Sequence, residues 1–184
     1  MAKAMTGSFY LTETLTLPAG TTSGSRVQGT IDLGAYVNVP TGQAIAIESV
    51  DFIYQAGTDF GTDAQSMIAG DGAISVQLVD LNPGTSFVRG DNQSLIASGS
   101  LNIDHPNNVV TRTADHFPDN FGPANLSEAF MVVNDLLYLV AGPDLSNTGL
   151  VSVFVTARVR ARIVKLSSED WMAIAIQSVA SDSN

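Results

Sequence analysis

The sequence predicts an all-β chain, an antiparallel β-sandwich that ends in a short C-terminal helix. Apolar and polar residues alternate with a period of two over several long segments, which places successive side chains on opposite faces of a strand. About eight such segments are separated by polar turns rich in Gly, Pro and Asn. A strand followed by a helix does not recur along the chain, so we do not expect a parallel α/β sheet.

Length and composition indicate one compact unit. The chain has 184 residues, of which 45% are hydrophobic and 14% are charged, so neither disorder nor several domains are expected. There is no run of ~18 apolar residues, so no transmembrane helix is predicted. We expect residues 1–184 to form a single sandwich domain, with 1–8 as an N-terminal arm and 167–184 as the C-terminal helix and tail. The arm lacks the apolar stretch of a secretory signal.

The first strands are predicted from clean alternation. Residues 9–17 and 26–39 each place apolar side chains on one face, and residues 43–54 do so with a change of phase. The apolar positions shift near Glu48 and Ser49, which predicts a β-bulge because one extra residue in a strand reverses the faces that follow it.

The middle of the chain is less regular. Residues 73–81 predict a strand, 86–89 a short extended segment and 94–103 a weaker strand. Residues 56–72 and 104–126 are rich in Gly, Asp, Asn and Pro, so both are predicted to be irregular surface segments.

A hairpin is predicted near Asn134 and Asp135. These turn-forming residues separate two short apolar runs, 129–133 and 136–141. A buried helix over 127–140 is the alternative, because short apolar runs fit either element.

The clearest element is the last strand, residues 150–166, where the apolar residues alternate almost without interruption. It is longer than the usual ~3–10 residues, so we expect it to bend or to serve two sheets. A hydroxyl cap and acidic residues from Ser167 to Asp170 then predict an amphipathic helix over 168–180. Its apolar side chains at helical spacing are Met172, Ala175, Ile176 and Val179.

The most distinctive feature is the arginine row, Arg158, Arg160 and Arg162, on one face of that last strand. Together with Lys165 these residues carry half of all the positive charge in the chain. The row either pairs with acids on the adjacent strand or stays solvated, or else it contacts an anionic partner: an acidic neighbouring subunit, a phosphate-bearing lipid surface or nucleic acid. Trp171 and Met172 are candidate interface anchors, with core packing as the alternative.

Composition and motifs argue against several chemistries. The net charge of −10 disfavours general nucleic acid binding, and the lack of cysteine excludes disulfides and thiolate metal sites. A nucleophile elbow, a phosphate-binding loop and a dinucleotide fingerprint are all missing. We therefore predict no enzyme activity and no cofactor.

The sequence also contains two weaker candidates for a metal-binding or catalytic site. His105 and His116 each follow an Asp in a Pro-containing stretch, which suits a metal pair or an oriented general base, but loop structure explains them better. A calcium site is the hypothesis for Asp59, Asp63 and Asp71, and it lacks the EF-hand pattern. No metal is predicted.

The alternating strands, ending in the run from Leu150 to Leu166, resemble the small single jelly-roll capsid proteins of tailless icosahedral viruses with an internal membrane. This resemblance implies a jelly roll without catalysis and a shell built either from the protein alone or together with a second coat protein. It also implies residence in the virion after synthesis in the host cytoplasm without a signal peptide. It also implies contact of the basic row with an internal membrane or the genome, without specific nucleic acid recognition.

Two rival functions stay open. A carbohydrate-binding or fibre-type sandwich would usually line one face with aromatic side chains, and these are only 7% of the chain. A cupin-type enzyme would need a cluster of His on strands, whereas both His lie in the Pro-containing segment 104–126.

Overall fold

The computed structural model describes residues 2–57, 63–114 and 129–180. In that part of the chain the structure consists of ten strands, two α-helices and one 3-10 turn at Val39–Thr41. The elements are β1 (Lys3–Ala4), β2 (Phe9–Leu17), β3 (Val27–Asp32), β4 (Gln43–Ala56), α1 (Ala64–Met67), β5 (Gly72–Val79), β6 (Leu95–Asp104), β7 (Val109–Ala114), β8 (Phe130–Val132), β9 (Leu136–Asp144), β10 (Val153–Lys165) and α2 (Ser168–Ala180). Neither α-helix is long and apolar enough to cross a membrane.

The strands form two antiparallel sheets. Sheet A has the order β2-β10-β4-β8, and β1 continues the β2 edge by pairing with the end of β10. Sheet B has the order β3-β9-β5-β6-β7. β10 lies between β2 and β4, and β9 lies between β3 and β5 in the facing sheet. Because the chain changes sheets between most consecutive strands, this is the jelly-roll order, which confirms the predicted fold class.

The connections gather at the two ends of the sandwich. At the end that we call the loop end, the β2–β3, β4–β5, β6–β7 and β9–β10 connections meet; for example, the Thr148 amide donates to the Thr21 carbonyl. The β3–β4, β5–β6 and β8–β9 connections lie at the opposite end, which we call the helix end because α2 follows β10 there. There the Leu33 amide donates to the Asp135 carbonyl.

The core lies between the sheets and follows the predicted alternation. On β10 every second residue points inward and has no exposed surface; these are Val153, Val155, Ala157, Val159 and Ala161. β9 does the same in sheet B. At roughly 25 cal/mol per Å² of apolar surface, this burial is the main stabilising contribution to the sandwich.

The predicted bulge is confirmed. In the β4–β10 ladder Arg160 pairs with Ser49 and Ala161 pairs with Ile47, so Glu48 is the extra residue. Of the two alternatives for the long last strand, a bend or service in two sheets, the second is wrong, since β10 lies only in sheet A, flanked by β2 and β4.

The strand predicted over 26–39 is too long. It ends at Asp32, and the chain then turns, because the amides of Tyr36 and Val37 both donate to the Leu33 carbonyl. Asn38 caps the following 3-10 turn and Val39 is 60% exposed, so the apolar alternation does not continue on one face.

Three predictions in the middle of the chain are corrected. Residues 86–89 form no strand, and within the segment predicted to be irregular, 104–126, β7 is a strand that pairs with β6. The runs around Asn134 are strands, which rules out the helix alternative over 129–140, but they are not a hairpin. β8 joins sheet A and β9 joins sheet B.

The C-terminal helix is confirmed over 168–180, and the Ser167 hydroxyl accepts from the Asp170 amide as a cap. Its packing face differs from the prediction. Trp171, Ile174 and Ala175 pack on a small cluster on the outer side of sheet A, whereas Met172 and Ile176 are 62% and 63% exposed.

Gly42 allows the close approach of β4 to the end of β10. It has φ +70°, its carbonyl accepts from the Leu166 amide at 2.9 Å, and an added Cβ would lie 2.7 Å from the Leu166 carbonyl oxygen. We expect Gly42→Ala to lower the free energy of unfolding by about 2–4 kcal/mol, from left-handed strain and steric overlap together. Urea denaturation measures this change.

Gly90→Ala is the matched control, since nothing lies within 4 Å of its added Cβ. Its unfolding free energy should change by less than about 1 kcal/mol. Equal losses in both variants would contradict the role assigned to Gly42.

Candidate functional site

Glu48, at the bulge in β4, lies on the same outer face as the arginine row and brings a carboxylate to it. Glu48 Oε2 lies 3.0 Å from Arg160 Nε, and Glu48 Oε1 pairs with Arg162 Nη2. The Glu48 side chain is only 2% exposed, whereas those of Arg160 and Arg162 are 37% and 20% exposed. Two guanidinium groups therefore share one buried carboxylate.

The N-terminal arm covers this cluster. The Ser8 hydroxyl donates to Glu48 Oε2 at 2.8 Å, and Arg162 Nη2 donates to the Ser8 hydroxyl at 3.3 Å. The Met5 amide donates to the Ile163 carbonyl, which holds the arm along the end of β10. A buried charge is tolerated when it is paired and hydrogen-bonded, and Glu48 meets both conditions.

Arg158 differs from the other two members of the row. Its side chain is exposed, its guanidinium lies 4.8 Å from the centre of the Tyr10 ring, and Asp51 is its neighbour across the β4–β10 ladder. Arg160 and Arg162 therefore follow the first alternative, in which the row pairs with an acid on the adjacent strand. Arg158 remains available at the surface.

The other predicted contact residues lie at the helix end. Lys165 is exposed at the last position of β10, opposite Lys3, and Met172 is exposed on α2. Trp171 is half-buried and packs inward, which is the core-packing alternative.

Of the His and Asp candidates that the structure describes, only His105 and Asp71 are in hydrogen-bond contact, and the contact uses the backbone amide of His105. The His105 amide donates to Asp71 Oδ1 at 2.9 Å, so both residues stabilise the loop end. Asp63 precedes α1, and its carbonyl accepts from the Ser66 hydroxyl. His116 and Asp59 lie outside the described residues. Within residues 2–57, 63–114 and 129–180 there is no group of three or more His, Asp or Glu that could hold a metal ion.

The structure exposes apolar side chains at the two ends, and of these the sequence analysis named only Met172 as a candidate contact residue. Leu145 and Leu150, in the β9–β10 connection, are 87% and 95% exposed, and Leu150 borders a cleft of about 660 Å³ beside His105. Val39, Met172 and Ile176 are 60–63% exposed at the helix end. The signal for these positions in the sequence was a single Leu among Asp, Ser, Asn and Gly. Large exposed apolar side chains on a folded protein are candidates for a contact surface.

Tyr54 carries a buried hydroxyl inside the sandwich. It has no hydrogen-bond partner in the described part of the chain, and it would lie 3.3 Å from a Cβ added at Gly99. Burial raises the pKa of the Tyr54 phenol far above its usual value, and the positive charge of Arg112 offsets this only in part.

No protein-family model and no curated protein matches the sequence. Among solved structures, the chain is similar to VP1 of Trichodysplasia spinulosa-associated polyomavirus in complex with 3'-sialyllactose, with a TM-score of 0.40 and 10% identity over 89% of this chain and 98% of that chain. It is also similar to two structures of turnip yellow mosaic virus, with TM-scores of 0.31 and 0.25, each at 8% identity. These cover 87% and 88% of this chain and 94% and 98% of theirs.

All three structures come from viruses. Likeness as remote as this says nothing about function. The function therefore has to be inferred from the strand order and from the surfaces described above.

Replacing the buried carboxylate tests the cluster. We expect Glu48→Gln to lower the free energy of unfolding by about 2–3 kcal/mol, below the ~3–5 kcal/mol of a fully buried pair because Arg160 is partly exposed. Asp51→Asn is the control, since Asp51 is an exposed carboxylate on the same strand, and it should cost less than about 1 kcal/mol. Similar losses in urea denaturation would contradict a special role for Glu48.

The raised pKa of Tyr54 predicts that the protein loses stability at alkaline pH. The unfolded phenol ionises near pH ~10, whereas the folded one stays protonated to higher pH, so stability is full below pH ~10 and falls as the pH rises above it. Tyr54→Phe should be nearly neutral at pH 7, because the hydroxyl has no partner among the described residues, and should flatten the loss between pH ~10 and ~11. Urea denaturation at each pH measures the unfolding free energy, and an alkaline loss in Tyr54→Phe equal to that of the unmodified chain would contradict this role of Tyr54.

Proposed function

We propose that this protein is a structural virion component, a capsid subunit that self-associates or co-assembles with a second coat protein into an icosahedral shell. The observation that carries the proposal is a jelly roll that exposes large apolar side chains at both of its ends. A subunit of a closed shell needs at least two different contact surfaces, because one self-complementary surface alone gives only a dimer.

The two apolar surfaces are unlike each other. The loop end presents Leu145 and Leu150, and the helix end presents Val39, Met172 and Ile176. Since they lie at opposite ends of the sandwich, they cannot bury each other within one subunit. Contacts between unlike surfaces are heterologous, and they extend an assembly until its curvature closes it.

Charge supports association of the protein with itself. The whole chain carries −10, yet half of its positive charge lies on β10. Arg158, in the middle of β10, and Lys165, at its last position, are exposed and remain available to an acidic neighbour. We propose the acidic surface of a neighbouring copy as the partner of these basic side chains, because opposite charges can pair locally even between two copies that each carry −10. Arg160 and Arg162 contribute by pairing with Glu48, which stabilises the surface.

We propose no catalytic role and a location in the virion. His105 is the one histidine in the described residues, and the structure uses its backbone to join the β6–β7 connection to Asp71 and Gln65. This arrangement supports a structural role for the segment that the sequence had marked as a candidate general-base site.

Assembly is tested by the mass of the purified full-length chain in solution. We expect light scattering to show defined oligomers or shells whose population changes with salt, and negative-stain images of the same sample to show rings or closed particles. Ionic contacts weaken and apolar contacts persist as salt rises, so both surfaces contribute to the profile. A monomer at every salt and protein concentration would overturn self-assembly.

Two variants separate the surfaces. Leu150→Ser removes an apolar side chain that is 95% exposed, so it should reduce assembly without lowering the unfolding free energy by more than about 0.5 kcal/mol. Arg158→Ser should change the salt dependence of assembly, whereas Arg89→Ser, the same charge change at a side chain 90% exposed, should not. If Leu150→Ser and Arg158→Ser assemble in the same way as the Arg89→Ser control and the unmodified chain, these contacts are excluded.

A further inference from the structure

A small cleft lies on the outer face of sheet B, away from both apolar ends. Its volume is about 260 Å³, and Ser75, Gln77, Ser98 and Ser100 line it beside the ring of Phe87. The volume is slightly below the ~300 Å³ at which pockets for drug-sized ligands begin, so the cleft suits a ligand about the size of one ring.

The floor of the cleft is a patch of hydroxyl groups. Ser75 pairs with Ser100 and Gln77 with Ser98 across the β5–β6 ladder. These side chains share the outer face, because the residue between Ser75 and Gln77, Val76, is buried in the core. Cross-strand neighbours are ~5 Å apart and same-face neighbours along a strand ~6.6 Å apart, so the hydroxyls form a regular polar array.

The wall of the cleft is an aromatic ring held in a fixed position. Phe87 belongs to the β5–β6 connection, which folds back over sheet B. The Gln77 amide donates to the Val88 carbonyl at 3.0 Å and accepts from the Val88 amide at 2.8 Å. The Gln28 amide donates to the Gly84 carbonyl at 2.8 Å. Two such attachments make the wall preorganised, which lowers the entropic cost of binding.

The charge around the cleft is balanced. The Arg26 guanidinium lies 4.3 Å from the centre of the Phe87 ring, and it pairs with Asp144. Since Arg26 is neutralised and the whole chain is acidic, the cleft offers no excess positive charge to an anionic ligand.

We propose that this cleft binds one ring of a neutral sugar. A pyranose presents an apolar C–H face and a rim of hydroxyl groups, and the cleft offers an aromatic surface beside hydroxyl donors and acceptors. The assembly surfaces lie elsewhere, on sheet A and at the two ends of the sandwich. Sugar binding therefore stands or fails separately from the capsid role, and in a shell it would serve attachment to a glycan-bearing surface.

Saturation-transfer NMR on the full-length chain tests the proposal, since it works for a monomer and for a large assembly alike. The probes are the methyl glycosides of glucose, galactose, mannose and N-acetylglucosamine, with N-acetylneuraminic acid as the anionic comparison. We expect saturable transfer for at least one neutral glycoside, with a dissociation constant on the order of 1 mM and the strongest transfer at the ring C–H protons. N-acetylneuraminic acid should give weaker transfer.

Variants show where the sugar binds. Phe87→Ala should weaken binding at least ~10-fold by removing the wall, and Ser75→Val should do so by placing methyl groups in the floor. Tyr10→Ala is the matched control, because Tyr10 is also an Arg-stacked aromatic ring but lies on sheet A. Its sugar binding should equal that of the unmodified chain.

Two results would overturn the proposal. One is the lack of saturable transfer for all four neutral glycosides at ~10 times the expected dissociation constant. The other is binding that Ser75→Val leaves unchanged in a variant whose urea unfolding matches that of the unmodified chain. The Ser75 variant decides the question even if Phe87→Ala loosens the β5–β6 connection.

Discussion

The position of β10 at the centre of sheet A is the constraint on which the other elements depend. Its inward residues have no exposed surface and form the middle of the core, while its outward residues include the arginine row. Because β10 pairs with β2 on one side and β4 on the other, it joins the beginning of the chain to its middle. The interleaved order of a jelly roll follows from this placement, with β9 in the equivalent position in sheet B.

The outer face of β10 carries the arginine row, and Glu48 on β4 supplies its carboxylate. Glu48 follows Ala44 and Ala46 on the outward side of β4, so the alternation of the strand already places it on the arginine side. The bulge reverses the phase of the strand after Glu48, so that Val50 and Phe52 stay in the core. The Glu48 carboxylate also accepts from the Ser8 hydroxyl, which joins the N-terminal segment to the cluster.

The proposed functions divide the surface among different parts of one sandwich. The ends carry the exposed apolar side chains, sheet A carries the basic residues, and sheet B carries the hydroxyl-floored cleft. In a jelly roll the sheets supply rigid faces, whereas the connections supply variable contacts. An assembly that uses the ends therefore leaves the outer face of sheet B open to a ligand.

The sequence by itself determined the elements with an uninterrupted pattern: β2 over residues 9–17, the phase change at Glu48, the core face of β10 and the extent of α2. These are local features, because alternation and capping are properties of neighbouring residues. Only the tertiary structure decided which strands lie side by side. It separated β8 from β9, made β7 a strand from a stretch that looked irregular, and turned Trp171 inward while leaving Met172 exposed. It also paired Glu48 with Arg160 and Arg162 and placed Phe87 over the serines of sheet B. Contacts between residues distant in sequence depend on strand register and on how the connections fold back, and a period of two specifies the faces of a strand but not its neighbour.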